Sequence, residues 1–314
     1  MEKKKRQHYV WQKYLQNWSK NQSQIFCLRE NRIFLSGTTC LAVEKFFYKL
    51  DEITLSDIKL IEQGYVKDIK GPAKEHAEKI IAMFKTIIET RDKLLASLPN
   101  SSQLKDSLDV FCTNIEENYH ADIEGNSAIY LERLSNKQTS FYTNPEDNAK
   151  FNLFLTTQYV RTKNIQEAIL RRAEKHPYLK EPTKRSMSVY RFSTAHIIAM
   201  GLSQYIDKCS FKLLSNNTEI PFITGDQPVI NTKVDDIDLT TGYAKELELY
   251  YPISPDIAIL IDPHYGTNLH EDVQITKEEA KYYNDLMFNA SHEQVFAKEE
   301  AHLLPYKVSL VLEP

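Results

Sequence analysis

The spacing of apolar positions changes twice along the chain. Near the start, Gln24 to Leu28 and Arg32 to Ser36 are short apolar runs on either side of Arg29-Glu30-Asn31, which predicts a β-hairpin over 24–36. From about Leu55 to about Tyr205 the spacing is helical, with breaks near Gly71-Pro72, Pro99-Asn100, Asn144-Pro145 and between Pro177 and Pro182. Beyond Ser210 it becomes strand-like at Phe211 to Leu214, Pro221 to Thr224, Glu246 to Tyr251, Ile257 to Ile261 and Tyr306 to Leu312, with one helix from about Lys277 to about Ser291. The order predicts an α+β fold. Its mixed or antiparallel sheet joins the N-terminal hairpin to the C-terminal strands, and 55–205 form a large central helical insertion. A single domain over 1–314 is expected, with the sheet and one late helix in 210–314.

Three polar residues interrupt this pattern. On a helix expected over 147–173, Phe151, Phe154, Leu155, Gln158, Arg161, Thr162, Ile165 and Ile169 share one stripe, so Arg161 falls on an apolar face. A buried guanidinium cannot discharge, and it needs a carboxylate, a phosphate or several carbonyls to offset its desolvation. Asp226, in Thr224-Gly225-Asp226-Gln227-Pro228 after a strand-like run, is the expected countercharge; an Asx-turn is the plainer role for it. The aromatic-rich start, from Gln7-His8-Tyr9 to Trp18, has too many rings to stay in water, and its docking would carry His8 into the core.

Composition narrows the function. The 314 residues carry 39 Lys+Arg against 43 Asp+Glu, a net charge of −4 that argues against extended duplex binding, although Lys3 to Arg6 could form a local basic patch. None of the 8 glycines is spaced as a dinucleotide fingerprint or a P-loop. Cys27, Cys40, Cys112 and Cys209 lie far apart without a zinc pattern, which suits a reducing cytoplasm. The start lacks an apolar signal core, and the longest apolar run, Ile257 to Ile261, is far short of the roughly 20 residues that span a bilayer, so no membrane association is expected. A divalent metal stays open as a cofactor without a strong motif: His120, Asp122 and Glu124 alternate as on one face of a strand, and Asp235, Asp236 and Asp238 make an acidic loop. Arg171 to His176 and Arg191 to His196 fit the Arg-x4-His spacing of some helical ribonucleases, but His196 shares a stripe with Phe192 and Met200 and reads as a packed core histidine.

Four stretches taken together resemble the DUF4238 family, a group of largely bacterial proteins of about this length. They are His8-Tyr9-Val10 with Tyr14-Leu15, Gln158-Tyr159-Val160-Arg161-Thr162, Phe222-Ile223-Thr224-Gly225-Asp226-Gln227-Pro228-Val229, and Tyr251-Pro252-Ile253-Ser254-Pro255. The late helix, with Asn284 and Asn289 before Val295-Phe296, adds a weaker fifth. Trp11 stands where the family's proline is expected and Gly225 where a serine is more usual. The resemblance supports the fold and the site residues and carries no activity.

Two function classes remain. One is an enzyme with His8, Arg161 and Asp226 as catalytic residues, and Gln158, Asn284, Asn289 and His196 as further candidates. It would hydrolyse a phosphate ester in nucleic acid or a nucleotide, because Arg and His suit phosphate oxygens, and a bacterial defence or toxin role would fit. The other is a ligand-binding or protein-interaction module, with a protein partner or a second copy of the chain, in which the same residues form a structural network.

Overall fold

A computed structural model describes residues 2–307 except 51, 68, 234–245, 264, 265, 267 and 268. The acidic loop Asp235, Asp236 and Asp238 and most of the strand expected at Tyr306 to Leu312 lie outside the described residues; Tyr306 itself ends a 3-10 turn, Leu304–Tyr306.

The chain opens with β1 (Arg6–His8) and a short helix α1 (Gln12–Leu15), followed by the hairpin β2 (Gln24–Arg29) and β3 (Arg32–Gly37) and by β4 (Val43–Lys45). In the hairpin Arg29 pairs with Arg32, so Glu30 and Asn31 alone make the turn, at φ of 50° and 60°. Two left-handed residues give the local twist that two paired strands need. The helical region consists of α2 (Leu55–Ile61), α3 (Pro72–Ser97), α4 (Ser102–Ser135), α5 (Pro145–Val160), α6 (Lys163–Ala173), α7 (Pro177–Arg185) and α8 (Met187–Gln204). Its boundaries follow the chemistry of helix starts. Pro72, Pro145 and Pro177 occupy first turns, and Asn144 accepts from the amides of Glu146 and Asp147 at 3.0 and 3.1 Å. Thr54 with Asp57 forms a reciprocal capping box at α2.

The remaining elements are β5 (Ser210–Ser215), β6 (Thr224–Gly225), β7 (Ile230–Asn231), β8 (Leu249–Ser254), β9 (Ile257–Asp262), β10 (Leu269–Gln274), α9 (Lys277–Ala290) and β11 (Val295–Ala297). The fold is α+β. A mixed five-stranded sheet runs β10-β5-β9-β8-β7, with β10 parallel to β5 and the other pairs antiparallel. The hairpin does join C-terminal strands, but in a second sheet, β3-β2-β11-β6, while β1 and β4 pair by themselves. The link is β11, which sets Val295 against Leu28 on one side and Gly225 on the other. Little of Pro221 to Thr224 becomes strand, because its backbone is engaged elsewhere. Phe222 donates its amide to the Pro255 carbonyl at 2.8 Å, and Ile223 donates to Asn284 Oδ1 at 2.9 Å.

The main hydrophobic cluster gathers both larger sheets with α1, α5, α9 and the later part of α4. A second cluster packs α2 and α3 against α8, with Ile115 and Tyr119 of α4 beside it. The long α4 therefore runs along both, and its own side chains meet the N-terminal segment between them.

Candidate functional site

The N-terminal segment docks as its rings demand. Tyr9, Val10, Tyr14, Leu15 and Trp18 are all buried. Gln7 fixes β1 from both ends of its amide, donating to the Thr113 carbonyl at 2.8 Å and accepting from the Tyr48 amide at 2.7 Å. Docking sets His8 and α1 over the middle of α4, and the two surfaces enclose a cavity of about 350 Å³. Its walls are His8, Trp11, Gln12, Lys13 and Gln16 from the N-terminal segment, Glu117, His120 and Glu124 from α4, and Arg161.

His120 and Glu124 do not alternate along a strand, as expected from sequence. They lie on α4, where Glu117, His120 and Glu124 are three and then four residues apart and share a face. Among the described residues no group of three or more His, Cys, Asp or Glu side chains is placed to hold a metal ion.

Arg161 is buried, with 1% of its side chain exposed, but not within one continuous helix. The stretch expected over 147–173 is interrupted: α5 ends at Val160, Arg161 is its C-cap, and α6 begins at Lys163. Its countercharge is Glu124, on α4, and not Asp226; a short charge-assisted bond joins Arg161 Nη2 to Glu124 Oε1. Asp226 is occupied differently. Its carboxylate accepts the amides of His292, Glu293 and Gln294 at 2.8, 2.9 and 3.1 Å, and it does not line the cavity. It therefore forms neither the expected pair with Arg161 nor an Asx-turn with its own backbone, and instead ties the loop after β6 to the loop before β11. The neighbouring Gly225 allows close packing there: a Cβ on it would lie 1.9 Å from Ser291 Oγ and 3.1 Å from the Gln294 carbonyl, so Ser291 would have to move to admit a side chain.

The other sequence candidates are dispersed. Gln158 is buried on α5 beside Arg161, with its amide nitrogen unpartnered. Asn284 is buried on α9 and clamps the segment before β6, accepting from Ile223 and donating to the Pro221 carbonyl at 2.9 Å. Asn289 is exposed. His196 on α8 is the packed histidine that its stripe predicts, with Nδ1 2.9 Å from the Phe192 carbonyl and Nε2 3.3 Å from the Tyr119 hydroxyl.

Electrostatics divides the acids of α4 into two kinds. Glu116 and Glu124 each have an arginine, Arg191 and Arg161. Glu117, half-buried in the cavity wall, has none, and burial pushes its carboxyl up to about 7 against the pull of Arg161. Burial acts in the opposite direction on the two cavity histidines. It holds His8 below the usual histidine range, opposed by the backbone of Thr39 and reinforced by Arg161, and it takes His120 down to about 4 despite Glu116. His8 Nε2, His120 Nδ1 and Arg161 Nε are each buried without a hydrogen-bond partner. Buried polar atoms are rarely left unpaired, and these three belong to residues that line one cavity.

The stretches that distinguish this sequence also meet one another. Gln227 of the loop after β6 accepts from the Thr162 hydroxyl and donates to the carbonyls of Tyr159 and Val229 at 3.0 and 2.7 Å. The Tyr14 hydroxyl bonds Thr224 Oγ1 at 2.6 Å and the Pro252 carbonyl at 2.8 Å, and its ring stacks on Tyr251 at 5.0 Å. A family profile described as "Protein of unknown function (DUF4238)" matches residues 6–301. The chain belongs to the DUF4238 family. No curated protein and no solved structure matches it. In this DUF4238 chain the four stretches form one network that holds the docked N-terminus, the end of α5 and the late sheet around the cavity.

Sequence reasoning missed Glu117 and Glu116, named Arg191 only for its spacing to His196 and not as the partner of a buried acid, and put His120 and Glu124 on a strand. The available signal was the helical spacing of Glu116, Glu117, His120 and Glu124, inside a region otherwise read as helix.

Proposed function

We propose that the cavity is the active site of a hydrolase that cleaves a phosphate ester in a nucleotide or nucleic acid by acid–base chemistry. One observation carries this reading: a carboxyl that holds its proton to about pH 7, Glu117, shares a cavity with two imidazoles that burial keeps neutral, His8 and His120. Environments that push the proton affinities of neighbouring groups apart sort them into an acid and a base. Glu117 is then the group that protonates the leaving oxygen, and an imidazole takes the proton of the attacking water. Lys13, exposed at the rim, and the Nε of Arg161 are the donors for phosphate oxygens, and Trp11 is a flat wall on which a base can stack.

The test is incubation of the purified protein with RNA, single-stranded DNA and nucleotides, with Mg²⁺, with Mn²⁺ and with a chelator. Cleavage that persists in the chelator is the expected result. His8→Ala removes an imidazole from the end of a short edge strand, and its turnover is expected to fall by about 10²-fold or more while the melting temperature changes little. A second reading rests on the pairing of Arg161 with Glu124, which already satisfies its charge: the cavity then binds its ligand without reaction. A protein that shifts its melting temperature with a nucleotide but cleaves none of these substrates decides for that reading.

A further inference from the structure

Of the two cavity histidines, His120 is fixed from behind. Glu116 precedes it by one turn of α4 and is 1% exposed. Arg191 of α8 grips both its oxygens, Nε to Oε1 at 2.5 Å and Nη2 to Oε2 at 2.9 Å, and spends Nη1 on Gln166 Oε1 of α6 at 3.0 Å. The guanidinium lies 5.7 and 5.2 Å from the rings of Phe47 and Tyr48, which close the remaining side. This grip keeps Glu116 an ionised acceptor: burial alone would raise its carboxyl, but Arg191 and His120 outweigh it and leave the group at about 2. Its Oε1 lies 3.3 Å from His120 Nε2. A carboxylate at that distance is matched by a nitrogen that carries hydrogen, so in the neutral ring Nδ1 is bare. The ring is held in place by Tyr48, Tyr119 and Phe192, at centroid separations of 4.6, 5.6 and 6.5 Å.

We infer that Glu116, clamped by Arg191, is a positioning residue that holds His120 in the Nε2–H tautomer and makes its Nδ1 the proton acceptor of the cavity. The assignment of a catalytic step rests on the hydrolase reading above. In that step Nδ1 takes a proton as the oxygen of water bonds to phosphorus, and the ester P–O bond breaks as Glu117 gives its proton to the leaving oxygen. The resulting imidazolium faces the Glu116 carboxylate, and its extra proton returns through solvent to Glu117, which restores both groups. A buried carboxylate that sets the tautomer and supports the imidazolium is the recurring partner of a histidine base. The charged and titratable groups facing His120 are Glu116, Glu117, Tyr119 and Glu124 on its own helix, Arg191 on α8, Arg161 after α5, Tyr48 before α2 and His8 of β1 in the same cavity wall.

The deciding experiment needs no substrate. In full-length protein labelled with ¹⁵N-histidine, the His120 signals, assigned by their loss in His120→Asn, are expected at pH 7 to show a protonated Nε2 and an unprotonated Nδ1. A protonated Nδ1 overturns the inference. Glu116→Asp keeps the charge but withdraws the carboxylate by one methylene. It is expected to mix the two tautomers and to lower kcat by about 10–100-fold with KM within about twofold, and to change the acid limb of the kcat profile. A folded Glu116→Asp protein with unaltered tautomer, kcat and pH profile also overturns it, and if that variant does not fold, the spectrum of the unmodified chain still decides. Absence of turnover alongside the Nε2–H tautomer defeats the hydrolase reading and leaves the positioning by Glu116 standing.

Discussion

Glu117 is the residue whose chemistry is least explained by stability. Its neighbours on α4, Glu116 and Glu124, are matched by arginines in ion pairs, whereas at Glu117 burial outweighs the more distant pull of Arg161 and Lys4. With a folded pKa of about 7 against an ordinary 4.5, its contribution to stability is full below pH 4.5 and is lost as pH rises through 7. Glu117→Gln keeps the shape and removes the charge. The variant is therefore expected to melt above the unmodified protein at pH 8 and level with it at pH 4, while turnover at pH 7 falls by about 10²-fold or more. Thermal melts across this range, with activity measured on the same samples, check both halves. A carboxyl that lowers stability at neutral pH and is needed for turnover is the signature of a functional group. Unchanged activity in Glu117→Gln would remove it from the proposed hydrolysis.

At the scale of elements, α4 is the scaffold, and two buried ion pairs attach other helices to it: Glu124 to Arg161 at the end of α5, and Glu116 to Arg191 on α8. Breaking one partner of such a pair leaves a lone buried charge, so Arg161→Met is expected to cost about 3–5 kcal/mol, and the double change Arg161→Met with Glu124→Gln much less, because neither charge is then left alone. Urea unfolding of both variants measures the difference; equal losses would show that the pair is not what holds α5 to α4. The same pairs explain what sequence could and could not show. Helix starts were legible because proline and cap residues act locally, as at Asn144-Pro145. The burial of Arg161 was legible from its place on an apolar stripe. Its partner was not, because Glu124 lies 37 residues earlier on a helix whose inward face carries Asn114, Glu116 and His120 and so lacks a clean apolar period. Asp226 was recognisable as a loop carboxylate, but the amides that it accepts lie 66–68 residues onward, beyond the reach of any local rule. Likewise, β11 is three residues long, too short to announce that it would join the hairpin to β6.

For the whole molecule the cavity groups contribute to the dependence of stability on pH in opposing ways, because their proton affinities are displaced in opposite directions. His120 falls from an ordinary 6.5 to about 4, so its contribution is full above pH 6.5 and is lost as pH falls through 4. Glu117 gains over nearly the same interval, since the folded state binds its proton between pH 7 and 4.5 while the unfolded state does not. The two effects are similar in size and opposite in sign; His8, His196, His270 and His302, which burial also lowers, act with His120, and Glu124 and Asp226, which burial raises, act with Glu117, so that the stability curve is flattened between about pH 4.5 and 7. Below that interval Glu117 is protonated in both states and offers nothing further, while Glu116, at about 2 against an ordinary 4.5, begins to lose its contribution along with the rest of that of His120. Melting temperatures are therefore expected to stay nearly constant from pH 7 to 4.5 and to drop steeply from 4.5 toward 3. Glu117→Gln isolates the cause: without the compensating carboxyl the plateau becomes a decline that starts near pH 6.5. A plateau of the same width in that variant would place the compensation elsewhere in the protein and separate the cavity from its acid stability.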